Sequence, residues 1–129
     1  MFDKLEIMRM AQGMAMHAAT RQSLVAENIA NADTPGFRAR DVAAFSDIYQ
    51  APHGGAEMRS TRSAHFQSNP AMPDTHHIFD APGAETPNGN TVSLETEMVR
   101  ATEVRHQHDM ALAIYKSSLD VLRASIGRR

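Results

Sequence analysis

The sequence predicts a mainly α protein in which two long terminal helices form a coiled-coil-like pair, joined by an irregular Pro/Gly-rich middle with room for short strands. Three observations carry that prediction. Apolar residues recur at heptad-like spacing at both ends of the chain. Five of the six prolines, at 52, 70, 73, 82 and 87, fall between Gln50 and Asn90 together with Gly54, Gly55, Gly83 and Gly89, a density that forbids a long helix. The chain is only 5% aromatic, has no Trp and has a mean hydropathy of -0.41, so one copy can bury little area. The expected organisation is an N-terminal helical arm over residues 1–33, a turn and irregular middle over 34–90, and a C-terminal helical arm over 91–129.

The first arm reads as one helix from Asp3 to about Asn31. Asp3 suits a cap, with Glu6 three residues on to reach back, and no proline precedes Pro35. A seam runs Met8, Ala11, Ala15, Ala18, Gln22, Val25, Ile29, Ala32, apolar except at Gln22. Ile7, Met10, Met14 and Leu24 lie on the neighbouring face, so the apolar surface is wider than a two-stranded seam needs and expects several neighbours. The methionines 8, 10, 14 and 16 read as adaptable packing surface rather than as a peptide-binding groove.

Thr34-Pro35-Gly36-Phe37 ends the arm and reverses the chain. Pro35 sets φ for the second position of a tight turn, and Gly36 supplies the positive φ that a type II turn needs next. Thr34, preceding a proline, is expected outside the helix. Asn28, Asn31 and Asp33 are short polar side chains suited to the exposed backbone groups of a fraying helix end. Arg38 to Ser46 fits either an extended segment or a short helix, and the sequence leaves the choice open. Within the middle, Met58 to Gln67 and Ile78 to Phe79 are candidate short strands.

Asn88-Gly89-Asn90 is a strong turn signal, after which Thr91 or Ser93 is placed to cap a second long helix with Glu95 and Glu97 in its first turn. Its seam runs Leu94, Met98, Ala101, Arg105, His108, Leu112, Tyr115, Leu119, Leu122, Ile126, and Gly127 ends it. At about 1.5 Å per residue each arm is on the order of 40 to 50 Å long, out of proportion to a compact globule of this size. Gln22, Arg105 and His108 are the polar positions of the two seams; either they fix register against neighbouring subunits or the seam rotates around them.

The charge balance is -2, from 13 basic and 15 acidic residues, which offers no overall attraction to nucleic acid or to an anionic membrane. Cysteine is absent, so there are no disulfides, thiolate ligands or Cys nucleophiles. No run approaches the roughly 18 apolar residues of a membrane span, and Asp3, Lys4, Glu6 and Arg9 interrupt the place of a cleaved signal peptide. His106 and His108 stand two apart on a helix, hence on different faces, whereas a zinc pair needs three or four; His76 and His77 lie near Asp74 and Asp80, and the histidines read as surface or packing residues. Glu103 with Arg100 and Gln107 reads as an ordinary helix-surface grouping. With no nucleophile elbow, phosphate loop or H-E-x-x-H, the chain reads as no enzyme, without catalytic residues, cofactor or metal.

The block Asn28-Ile29-Ala30-Asn31-Ala32-Asp33-Thr34-Pro35-Gly36-Phe37 resembles the N-I-A-N-x-x-T-P-G-[FY] signature of the bacterial flagellar rod, hook and filament-axis proteins. Arg38-Ala39-Arg40-Asp41-Val42 directly after it is similar to the short proximal-rod members. Asn88 to Met98 is similar to the G-N-x-V-[DN]-x-E-x-E-M block that opens their C-terminal helix, with Ser93 at the capping position, and Thr61 to Phe66 matches a short T-x-x-x-H-[ILF] stretch. The resemblance implies a structural subunit of the basal-body proximal rod that polymerises through its terminal helices and transmits torque. It implies export through the flagellar type III channel without a cleaved signal peptide, and assembly in the periplasm. The implied partners are FlgC, FlgF, FlgG, FliE, the junction of the membrane ring with the export gate, and further copies of the chain. Within the block, Asn28 and Asn31 are expected to tie down the helix end, Pro35-Gly36 to turn the chain, and Phe37 to anchor it in an apolar pocket, with Ile29, Ala30 and Thr34 completing the motif. The alternatives are another small rod protein of the FlgC type, whose insertion between the Thr and the aromatic residue is usually longer, and a soluble helical adaptor or export chaperone.

Fixing backbone costs roughly 1 to 2 kcal/mol per residue, against about 1.5 to 3 returned by one buried large apolar side chain. Seams with so many small or polar members therefore expect neighbours to complete them, with folding of the arms coupled to assembly.

Overall fold

The computed structural model describes residues 2–50, 77–81 and 83–127; the candidate strand over Met58 to Gln67 lies outside them. The element order is α1 (Phe2–Ala30), β1 (Arg40–Val42), α2 (Phe45–Gln50), β2 (Ile78–Asp80) and α3 (Leu94–Ile126). α3 starts beside the end of α1 and runs back along it, so the two long helices pack as an antiparallel pair. The protein is mainly helical, with the long terminal helices joined through an irregular middle that holds two short strands.

The helix–helix core is built from small and medium side chains. α1 buries Ala11, Ala18, Leu24 and Val25, and α3 buries Val104 and Ala111. Alanine at these places lets the helix axes approach closely, at the cost of little apolar area per contact. On α3 the buried members Glu97, Val104 and Ala111 repeat every seven residues, with Ala101 and His108 half-buried between them. That face is rotated by about one residue from the stripe through Leu94, Met98, Arg105 and Leu112, all four of which are exposed. Tyr115 and Ile126 are also exposed, and Leu119 and Leu122 are half-buried. On α1 Gln22 and Ile29 are exposed beside the buried Val25 and Asn28. Each helix thus carries two stripes, one turned to its partner helix and one turned outward.

Two capping expectations change in the structure. α1 already includes Asp3, so that residue is inside the helix rather than its cap. Ser93 does stand at the N-cap of α3 in extended geometry, and its carbonyl accepts the Glu97 amide at 3.0 Å, but its side chain makes no capping hydrogen bond. Thr91 is not a helix cap either; its hydroxyl is turned to the Ala39 amide at 2.9 Å. At the other end the Gly127 amide donates to the Arg123 carbonyl at 2.8 Å.

The open segment after the turn resolves into both of its alternatives, a strand over Arg40–Val42 and then a short helix from Phe45. β1 pairs with β2 antiparallel, Arg40 opposite Asp80, Asp41 opposite Phe79 and Val42 opposite Ile78. Beneath this ribbon a second small cluster buries Ala39, Ala81 and Val92, with Ala32 and Phe37 packed against it. α2 returns to α1: the His17 ring nitrogen Nε2 meets the Ala43 carbonyl at 2.8 Å, and the Phe45 ring lies 5.7 Å from the imidazole.

Candidate functional site

The chemistry-bearing residues gather at one place, the junction where α1 ends and α3 begins. The turn Thr34–Phe37 closes through the Phe37 amide donating to the Thr34 carbonyl at 3.3 Å, with Gly36 at φ 72°. A second turn, Thr86 to Gly89, closes through the Gly89 amide donating to Thr86 at 2.8 Å. The two turns dock on each other, because the Gly36 amide donates to the Asn88 carbonyl at 2.9 Å. Gly83 lies so close to Thr91 that a Cβ there would sit 2.5 Å from the Thr91 carbonyl oxygen.

Asn90 joins the two turns to the helix end. Its side chain is buried, and its Nδ2 donates to the carbonyls of Asn31, Ala32 and Thr34 at 3.0, 2.8 and 2.9 Å. Its Oδ1 accepts the Val92 amide at 2.7 Å. All three carbonyls belong to the turn that follows α1, and one amide group meets them together, one hydrogen being shared. The neighbouring Thr91 adds its amide to the Phe37 carbonyl at 3.1 Å and its hydroxyl to the Ala39 amide, which fixes the chain leaving the turn.

Asn28 does the same work one turn earlier. It is 1% exposed, donates through Nδ2 to the Arg40 carbonyl at 2.8 Å and to Glu97 Oε2 at 3.1 Å, and accepts the Arg40 amide on Oδ1 at 3.0 Å. Asn31 closes locally on the Glu27 carbonyl at 2.8 Å and accepts the Thr34 hydroxyl at 3.2 Å. Glu97 is as buried as Asn28, and its other oxygen accepts from Arg100 at 2.6 Å. Asp41 completes the cluster: Arg21 grips it through Nε at 2.9 Å and a terminal nitrogen at 3.1 Å, and Arg100 stands 4.0 Å away. Arg100 is therefore a member of a buried charge cluster and not, as its spacing from Glu103 suggested, a residue of an ordinary solvated face. Arg40 reaches Glu27 at the rim.

Two positive and two negative side chains balance in this cluster, as burial requires. Burial by itself would raise the Asp41 pKa. The Arg21 hydrogen bonds, the Val42 amide at 2.8 Å and the charges of Arg21 and Arg100 outweigh it and hold the carboxyl below the usual carboxylate range. The hydrogen bond to Asp41 pushes the Arg21 guanidinium further up, against its own desolvation. Among the described residues no group of three His, Asp or Glu side chains is arranged to hold a metal ion, and no helix is long and apolar enough to cross a membrane. The site's chemistry is that of a fastener, built of complementary charges and hydrogen bonds.

The family described as flagella basal body rod protein matches residues 8–38, the stretch that holds the end of α1 and the docked turn. The chain is 32% identical to the flagellar basal body rod protein FlgB of Agrobacterium fabrum over 118 residues, covering 88% of this chain and 87% of that protein. The chain belongs to the FlgB family of flagellar basal body rod proteins. The FlgB of Salmonella typhimurium is 32% identical over 92% of each chain, and that of Escherichia coli K12 is 31% identical over 88% of each.

Within this FlgB-family chain, the junction brings together Asn28, Asn31, Thr34, Gly36 and Phe37 from the block read in the sequence. Ile29, Ala30 and Pro35 are exposed around it. The stripe Leu94, Met98, Leu112, Tyr115, Leu119, Leu122, Ile126 takes no part in it. Arg21 and Arg100 carry no local mark as site residues, and Asp41 stands in the recognised segment Arg38–Val42 without one, since nothing local marks residues that meet across separations of 20 and more positions. Asn90 and Glu97 stood in a recognised block, yet a turn residue and a first-turn acid look alike whether solvated or buried. Gly36→Ala is expected to cost about 1 to 2 kcal/mol from the left-handed backbone alone, because nothing lies within 4 Å of the added Cβ. Chemical denaturation of the variant checks this.

Proposed function

We propose that this chain is a structural subunit of the proximal rod of the bacterial flagellar basal body, polymerising through its terminal helices and carrying torque by packing rather than by chemistry. The observation that carries the reading is the junction: a pair of long helices locked at one end by buried, charge-balanced contacts, with an apolar stripe of α3 left turned outward. Such a fastener keeps two levers in register under load, and outward stripes need partners that one copy does not supply. The names of the FlgB relatives support the rod assignment.

The assembly partners in this reading are FlgC, FlgF, FlgG, FliE, the membrane-ring and export-gate junction, and further copies of the chain. The place is the periplasmic rod, reached through the flagellar export channel without cleavage of a leader. The assembly unit comprises arms 1–33 and 91–129 around the middle 34–90. The family block provides the lock, and the α3 stripe provides the surface for neighbours.

The test is deletion of the chain's gene in its own bacterium followed by complementation. The wild-type chain is expected to restore basal bodies and swimming. Phe37→Ala, which empties the small cluster with Ala39, Ala81 and Val92, is expected to lower stability by about 1 to 3 kcal/mol, below the value for a fully buried ring, and to reduce the swimming zone. Normal swimming in the deletion strain without any added chain would overturn the rod reading.

A further inference from the structure

We propose that Asn88-Gly89 is a self-modification site, at which the chain deamidates while it is unfolded and which the docked turns of the junction shut off once it folds. The modification needs no partner and does not depend on the rod-subunit reading. Asn88-Gly89 is the single Asn-Gly pair in the sequence. A glycine nitrogen reaches the preceding side-chain amide with no Cβ in the way. The other asparagines are followed by Ile29, Ala32, Pro70 and Thr91. A Cβ or a branched side chain crowds the approach, and a proline nitrogen has no proton to give up. In the reaction the Gly89 amide nitrogen loses its proton and bonds to the Asn88 side-chain carbon Cγ. The bond from Cγ to Nδ2 breaks, and that nitrogen leaves as ammonia with the proton. The succinimide ring that remains is opened by water at either carbonyl. One product is aspartate. The other is isoaspartate, in which the chain runs through Cβ and Cγ and the former main-chain carbonyl has become a carboxylate. Water is consumed and ammonia released, and nothing is oxidised or reduced.

The fold holds the peptide group that this reaction must move. The Gly89 amide donates to the Thr86 carbonyl at 2.8 Å, and the Asn88 carbonyl, at the other end of the same peptide bond, accepts the Gly36 amide at 2.9 Å. With both ends pinned, the nitrogen does not swing toward Cγ. The backbone there is also closed in, since a Cβ at Gly89 would lie 3.5 Å from the Gly36 Cα and 3.6 Å from Glu85 Oε1. A carboxylate so near disfavours the anionic nitrogen that the attack requires. Asn88 itself is exposed, so the pinned peptide protects it and burial does not. Isoaspartate at this position strikes the junction directly. It turns the carbonyl that receives the Gly36 amide into a carboxylate set off the main chain, and it adds a carbon to the path from residue 88 to residue 89. The two turns then lose the contact that docks them. A chain that folds promptly is preserved, and one left unfolded is marked at the place where its two long helices are joined.

Incubating the purified full-length chain at mildly alkaline pH, in buffer and in guanidinium chloride, tests this. Peptide mass spectrometry follows the replacement of each asparagine amide by an acid, and far-UV circular dichroism establishes that the chain in buffer is folded. In denaturant Asn88 is expected to convert ahead of the other asparagines, with isoaspartate among the products. In buffer it is expected to convert at least roughly 10-fold more slowly, because the reaction there waits on opening of the junction. Chain aged in denaturant is then refolded beside Asn88→Ser aged in the same way, a variant that does not close the ring. The denaturation midpoint of the wild type is expected to fall in step with its isoaspartate content, and that of Asn88→Ser to stay at its fresh value. Equal rates at Asn88 in buffer and in denaturant, or another asparagine reacting first in denaturant, overturn the proposal. So does aged wild-type chain that carries isoaspartate and still refolds to its fresh midpoint.

Discussion

Asn90→Ala is expected to lower the unfolding free energy by about 3 kcal/mol or more, several times the effect of a typical surface change. The substitution removes one small side chain, but it strands two backbone groups and weakens the pairing of two more. The Ala32 carbonyl loses its donor and the Val92 amide its acceptor, while the Asn31 and Thr34 carbonyls are left with only the amides of Thr34 and Phe37. Each buried group left unpaired costs about 1 to 3 kcal/mol, moderated where water can enter. Asn90→Asp separates hydrogen bonding from space filling. It keeps the shape and the Val92 contact, yet presents a carboxylate to three carbonyl oxygens, so it is expected to be at least as damaging as Ala near neutral pH. Urea denaturation measures both values. Amide exchange locates the damage, with loss of protection expected first at the Val92 amide and at the end of α1. A variant as stable as wild type would mean that the turns hold the helix end without the Asn90 amide.

Asp41→Asn is expected to cost about 2 to 4 kcal/mol at neutral pH, because it leaves Arg21 and Arg100 with only Glu97 and the exposed Glu103 to balance them. Its effect carries a pH signature. The folded-state pKa of Asp41 lies below its ordinary value of 3.8, so the carboxylate contributes its full stabilisation above that value. The contribution is lost as pH falls through the lower, folded-state pKa. Asn does not titrate, so the gap between wild type and variant is expected to be constant near neutrality and to narrow at pH values below 3.8. Denaturation curves at neutral and acidic pH check this. A double-mutant cycle with Arg21→Gln gives the coupling directly, expected at about 1 kcal/mol or more for a partly buried bidentate pair. A gap that widens on acidification would contradict the assignment of Asp41 as an ionised partner.

How the residues could be read depended on the range of their contacts. The α1 end at Pro35-Gly36, the two long helices and the strand at Ile78 were legible because periodicity, proline and glycine act within a few residues of themselves. The inward face of α3 was not. Its stripe of Leu, Met and Tyr is the more apolar one, yet the partner helix covers the stripe of Glu97, Val104 and Ala111. Close packing against an alanine-rich α1 selects small residues over large ones, and the acid is admitted because Asn28 and Arg100 wait for it. Ser93 stands at the N-cap of α3 without a side-chain hydrogen bond, while Asn90 in the preceding turn ties that turn to the segment after α1.

The sequence by itself determined the family, the helical class, the place of the turn and the presence of more apolar stripe than one hairpin can use. All of these follow from local chemistry and spacing. Only the tertiary structure decided which stripe faces inward, that Asp41 on β1 bridges Arg21 on α1 and Arg100 on α3, and that Asn90 closes the end of a helix more than fifty residues earlier. Those contacts join positions whose proximity exists only once the helices have docked, and the stability of a buried charge or amide depends on what that docking sets beside it.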